Sequence, residues 1–189
     1  DLPRLVKGGV IIANVSGFDS KNLKLAGYPE GATNPLEDGT LDGYQVFKVD
    51  ISKFTKEALK DSGLGMKEIE RCKNMFVLGI LFWMFDKSMD FTIKSLEEKF
   101  SKKPDILNAN ITALKSGWNY GDNTEIFTTR YKTAAAKLPA GVYRNISGNQ
   151  ALAIGIIAAA EKSGLQVFLG SYPITPASDV LHDLSKYKA

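Results

Sequence analysis

The sequence predicts an α/β protein made of two unequal units. Two observations carry this. Short apolar, β-branched runs at 10–15 and 44–50 read as buried strands among longer stretches of helical periodicity. A polar, alanine-bearing stretch from 122 to about 142 then interrupts the pattern, and a helix–strand–helix pattern restarts after it. The 189 residues suffice for one ordinary domain, or one domain with part of another.

Gly8-Gly9 leads into the first strand, which stops at Gly17, and residues 20–26 follow as one or two helical turns. Residues 27–43 hold four Gly and two Pro among acidic and small residues, a long turn-rich loop of a kind that is usually functional or mobile. After the second strand, Thr55 has the features of an N-cap. Phe54 and Leu59 are placed for a hydrophobic staple, and Gly63 sits at the expected stop. The next helix is expected over 67–85, amphipathic first and apolar all round later, as in a helix buried between layers. Gly79 within it allows close packing. Residues 88–101 and 104–116 read as two more helices, with Pro104 in a first turn and the second ended by Gly117-Trp118-Asn119-Tyr120-Gly121. Beyond the linker come a helix over 149–162 stopped by Gly164, a strand over 165–170, a tight turn over 172–177 and a helix from 178. About 45 residues of that kind enclose no core by themselves.

Composition excludes several functions. Twenty-four basic and 21 acidic residues give a net charge of +3, too balanced for a protein that binds nucleic acid or a membrane surface by neutralising phosphates. Cys72 is the single cysteine and His182 the single histidine, which excludes an internal disulfide, a cysteine-ligated iron–sulfur or cysteine-rich zinc site and a two-imidazole site. That cysteine usage fits a cytoplasmic location. The longest apolar run, 75–85, is eleven residues, well short of the roughly 20 that span a bilayer. The opening Asp1-Leu2-Pro3, without Met or a signal peptide, suggests a piece of a longer protein.

The segment richest in chemistry is Gly170-Ser171-Tyr172-Pro173-Ile174-Thr175-Pro176-Ala177-Ser178-Asp179. It joins the carboxyl end of a predicted strand to the start of a predicted helix, where open α/β sheets place ligands. Pro176 suits the first helical position, which makes Thr175 the N-cap, beside amides that favour a carboxylate or phosphate. From the residues alone, Thr175 either caps its own helix or also offers its hydroxyl to a ligand.

This turn and its flanks, from Gly148-Asn149-Gln150-Ala151 to Lys186, resemble the start of the thiamine-binding pyrimidine domain of 2-oxoacid:ferredoxin oxidoreductases. Val180-Leu181-His182-Asp183-Leu184-Ser185-Lys186 is most similar to alpha subunits of the 2-oxoglutarate type. Asn34-Pro35-Leu36-Glu37-Asp38-Gly39, Asp61-Ser62-Gly63-Leu64, Arg71-Cys72-Lys73-Asn74 and Gly117-Trp118-Asn119-Tyr120-Gly121 resemble the gamma domain fused ahead of it. The resemblance implies a three-layer, Rossmann-like gamma domain over 1–121, a linker over 122–143 and the beginning of a pyrimidine-binding domain over 144–189.

The activity implied is oxidative decarboxylation of a 2-oxoacid, 2-oxoglutarate foremost, to acyl-coenzyme A, with electrons passing through an iron–sulfur cluster to ferredoxin. Thr175 would lie against the 2-oxoacid, with Tyr172, Pro173, Ile174, Pro176 and Ser178 shaping the pocket. Lys73 and Asn74 are candidates for coenzyme A, against the plainer reading of a solvated helix end. A beta subunit would carry thiamine diphosphate and Mg2+, whose aspartate–asparagine signature this sequence lacks. The family's opening strand and glycine-rich turn do not precede Gly8, and its activating glutamate would lie past Ala189. The fragment alone is therefore expected to be inactive and to hold no cofactor tightly. The rival reading is a non-catalytic, gamma-like scaffold that assembles the other subunits. Of the remaining candidates, Arg144 and Asn145 suit an interface or a structural role. Cys72 reads as a buried small hydrophobe, His182 as a surface residue, and Trp83 with Phe82 and Phe85 as core or subunit contact.

Overall fold

A computed structural model describes residues 2–127 and 129–187. It is α/β, with a two-stranded parallel sheet and a majority of helix. The chain divides into two compact units, Asp1–Ala135 and Ala136–Ala189.

In the first unit β1 (Val10–Asn14) pairs in parallel with β2 (Gln45–Val49), from Val10 beside Gln45 to Asn14 beside Val49. The crossover between them contains α1 (Ser20–Leu25) and the predicted turn-rich loop. Alternation puts Val10, Ile12, Phe47 and Val49 on one face, packed against Phe76, Ile80, Trp83 and Met84. Those four side chains belong to α4 (Lys73–Met84), the apolar helix read from the sequence.

Helix α2 (Ile51–Ala58) starts four residues before the expected N-cap. Asp50, immediately after β2, caps it by accepting the Lys53 amide at 3.0 Å. Thr55 is therefore interior and fully buried, and its hydroxyl donates to the Ile51 carbonyl at 2.7 Å. The helix predicted over 67–85 is two, α3 (Met66–Arg71) and α4, which meet at buried Cys72.

Helix α5 (Asp90–Phe100) forms as expected, whereas α6 (Pro104–Asn123) runs through the glycines that were to end it. Gly117 and Gly79 are contact points between helix backbones. A Cβ on Gly79 would collide with the Leu114 carbonyl and lie 2.7 Å from the Trp118 nitrogen. One on Gly117 would collide with the Phe76 carbonyl. Gly121 admits the Trp83 indole, whose Nε1 donates to Asp122 at 2.9 Å.

In the stretch after α6, read as a linker from 122, Phe127, Arg130 and Tyr131 pack onto this unit. Phe127 is buried in the core, and the Tyr131 amide donates to the Met84 carbonyl at 2.7 Å. Arg130 donates to the Trp83 carbonyl at 3.3 Å and stacks over the Trp83 ring. These contacts satisfy carbonyls that the end of a helix leaves free.

In the second unit α7 (Gly148–Ser163) opens with a capping box between Ser147 and Gln150 and ends at Gly164, φ +69°. It packs against α8 (Ser178–Leu184). The strand expected over 165–170 does not form: the segment has no ladder partner among the described residues. A lone extended segment has no inter-strand hydrogen bonds to stabilise it. Phe168 is 95% exposed and Leu165 72%.

Gly79→Ala and Gly117→Ala should each destabilise the first unit by about 3 kcal/mol or more, because backbone cannot rotate aside as a side chain can. Gly155→Ala on α7, with nothing near its Cβ, should instead gain up to about 1 kcal/mol from helix propensity. Urea unfolding of the three variants checks the contrast.

Candidate functional site

Two polar arrangements stand out. The first lies where the parallel strands end. Asn14, the last residue of β1, donates to the Ser52 hydroxyl at 3.2 Å, and the Ser16 hydroxyl donates to Asp50. Asn22 and Asn34 close the surrounding loops on the Ser16 and Phe18 carbonyls at 3.2 and 3.1 Å. The Ser16 hydroxyl is the largest influence on Asp50 and holds its carboxyl below the usual range against the opposing effect of burial, with the Lys53 amide helping. These groups satisfy one another, so the network is a structural clasp. Its signal in the sequence is an Asx residue directly between a strand and a helix.

The second arrangement is the predicted turn. Tyr172, Pro173, Ile174 and Thr175 are exposed, and Ser178 is partly buried. The Thr175–Pro176 peptide is cis, and α8 begins at Ser178 with Ala177 in the capping position. Thr175 is therefore not the N-cap, nor is Pro176 the first helical residue. The Thr175 hydroxyl makes no hydrogen bond among the described residues. Ser178 donates from its amide at 3.0 Å and its hydroxyl at 3.3 Å to the Ile174 carbonyl, so its proton is spent on holding the turn. The Pro176 carbonyl accepts the Asp179 amide at 3.1 Å and the Asn149 side-chain amide at 3.0 Å. Asn149 is a contact that the sequence did not single out; the adjacent capping box is the available signal. Val167 and Leu169 join Ile157, Ala160, Leu181 and Leu184 around a mainly apolar cavity of about 400 Å³ that Glu161, Ser185 and Tyr187 also line.

Lys73 and Asn74 lie apart from these residues in sequence, on the first turn of α4 in the first unit. Lys73 pairs with Glu70 at 2.5 Å, and Lys56 reaches the same carboxylate at 3.1 Å. Lys73 first, then Lys56, keep Glu70 below the usual carboxylate range despite its burial. Asn74 is exposed. Burial pushes the Cys72 thiol up, with the Glu68 charge adding to it, which suits the apolar role expected of it. His182 is exposed and Trp83 is core, as read from the sequence. Arg144 is exposed beside a cleft that also contains Lys186 and Asp183. Among the described residues no three His, Cys, Asp or Glu side chains gather as a metal site. No described helix is long and apolar enough to cross a membrane.

The Asp50 clasp gives a pH prediction. A depressed folded pKa contributes stability above the unfolded value, near 3.8, and that contribution is lost as pH falls through the folded one. Asp50→Asn should therefore melt below wild type at pH 7, and the gap should narrow toward pH 3. Thermal melts across that range check it.

Residues 1–120 match the family model described as pyruvate ferredoxin/flavodoxin oxidoreductase. The chain is also 50% identical over 188 residues to the 2-oxoglutarate oxidoreductase subunit KorA of Mycobacterium tuberculosis. That alignment takes in 100% of this chain and 28% of the relative, so the chain spans under a third of the relative's length. No solved structure matches it. Both findings agree with the family resemblance read from the motifs, and the name of the relative agrees with its leaning to the 2-oxoglutarate type. The chain belongs to the pyruvate ferredoxin/flavodoxin oxidoreductase family, the 2-oxoacid:ferredoxin oxidoreductases.

Proposed function

We propose that this chain is part of the fused gamma/alpha subunit of a 2-oxoglutarate:ferredoxin oxidoreductase and that its Tyr172–Ser178 turn contacts the 2-oxoacid. The observation that carries the reading is the exposed Thr175 hydroxyl, uncommitted to any hydrogen bond among the described residues, on a turn otherwise tied down by the Ser178 and Asn149 bonds. A hydroxyl so placed donates to a carboxylate or keto oxygen without giving up a contact of its own. Tyr172, Pro173 and Ile174 supply apolar surface that would exclude water around it, and Ser178 keeps the backbone beneath it in place.

On this reading residues 1–121 are the three-layer, Rossmann-like gamma domain, 122–143 the connection, whose first part through Phe127, Arg130 and Tyr131 packs onto that domain, and 144–189 the start of the pyrimidine-binding domain. Support for the substrate is the 50% identity to a subunit named for 2-oxoglutarate.

The turn offers a hydroxyl and backbone groups but no cluster of carboxylates, a donor set suited to the substrate and not to magnesium diphosphate. Thiamine diphosphate and Mg2+ therefore fall to the partner beta subunit. Coenzyme A is assigned to Lys73 and Asn74, where a phosphate would have to replace Glu70 as the Lys73 partner. The iron–sulfur cluster and the ferredoxin that accepts the electrons also lie with other components, in the cytoplasm.

Thr175→Val tests the reading in the assembled enzyme. Val keeps the shape and removes the donor, and a lost hydrogen bond to a charged group costs roughly 1.5–3 kcal/mol, about a ten- to hundredfold fall in kcat/KM. Because Thr175 is exposed and caps nothing, the melting temperature should stay with wild type. The assay is 2-oxoglutarate-dependent reduction of ferredoxin or a viologen. A wild-type kcat/KM would overturn the contact and leave the chain the scaffold role.

A further inference from the structure

We infer that Asn149 is a positioning residue for the substrate-contacting turn, acting through the Pro176 carbonyl. The inference rests on the assignment of Thr175 proposed above. Asn149 is the second residue of α7, and the reciprocal Ser147–Gln150 bonds fix the helical turn that bears it. Its Nδ2 donates to the Pro176 carbonyl at 3.0 Å across 27 positions of sequence. The orientation of the amide is forced, since a carbonyl oxygen takes only a donor.

The geometry ties the turn from two sides. Asp179, on the first turn of α8, donates to the same carbonyl at 3.1 Å, and Ser178 holds the Ile174 carbonyl. The Asp179 and Ser178 bonds are local and move with α8. The Asn149 bond instead references the turn to α7, the longest helix of the second unit. Pro176 directly follows Thr175, so an anchor on its carbonyl limits the drift of the Thr175 hydroxyl. A misplacement of about 1 Å in a contact of that kind is costly to catalysis.

The test is a double-mutant cycle in the complete enzyme, read as kcat/KM for 2-oxoglutarate beside the melting temperature. Asn149→Ala should lower kcat/KM about three- to tenfold, the size of one neutral hydrogen bond, without lowering the melting temperature. Asn149→Asp, which keeps the volume and turns an acceptor toward Pro176, should lose at least as much and serves if the alanine variant assembles poorly. In a Thr175→Val background either substitution should cost almost nothing, because the hydroxyl it positions is gone. An equal loss in both backgrounds, or a loss matched by earlier melting, would mark Asn149 as merely structural and overturn the inference. So would full activity of both Asn149 variants when Thr175→Val is impaired, an outcome that leaves the Thr175 assignment standing. A silent Thr175→Val overturns that assignment and this inference with it.

Discussion

Gly79 and Gly117 let the backbones of α4 and α6 touch, and the first unit is arranged around that crossing. A close approach of this kind tolerates no Cβ, so it fixes the position of the two helices along each other. The side chains flanking it then fall into place. Phe76 and Ile80 face the sheet, Trp83 packs over Gly121, and Leu114 is fully buried. Interiors packed at crystal-like density transmit such a constraint outward, which makes two of the smallest residues decisive for the largest core side chains.

Polar links finish what the crossing starts. The Asn14–Ser52 and Ser16–Asp50 bonds clasp the carboxyl ends of β1 and β2 to the start of α2. At the far end of α4, Arg130 and the Tyr131 amide take up the carbonyls of Trp83 and Met84. Asp86, at φ +51°, turns the chain out of that helix and pairs with Arg130 at 3.2 Å. The ion pair is exposed and worth little by itself; the buried carbonyl contacts and the Phe127 ring hold the segment down.

The second unit works by different physics. Only Ala153 among its described side chains is buried, while Leu165, Phe168, Tyr172 and Ile174 are mostly exposed. What order its Tyr172–Ser178 turn has comes from a few directional bonds: the capping box, Asn149 to Pro176, and Ser178 to Ile174. Such bonds specify geometry well, and because these are exposed and water can replace them, they contribute little to stability. The placement of the Thr175 hydroxyl on this turn therefore depends on particular hydrogen bonds more than on packing.

The sequence by itself determined the α/β class, both paired strands, the apolar character of α4, the Gly164 stop and the family, because each rests on local pattern or on a contiguous motif. It also marked the Tyr172–Ser178 turn as the place to look. Tertiary structure alone decided the rest. Gly117 and Gly121 read as helix breakers, yet α6 runs through both, since a glycine costs a helix only about 1 kcal/mol and packing against α4 outweighs that. Thr55 looked like a cap until the Asp50 carboxylate, set at the end of β2, took that place. The run at 165–170 has every strand propensity and forms none, because a strand exists only through its neighbour. Asn149 and Pro176 are 27 residues apart, and no local signal reports a bond across that distance.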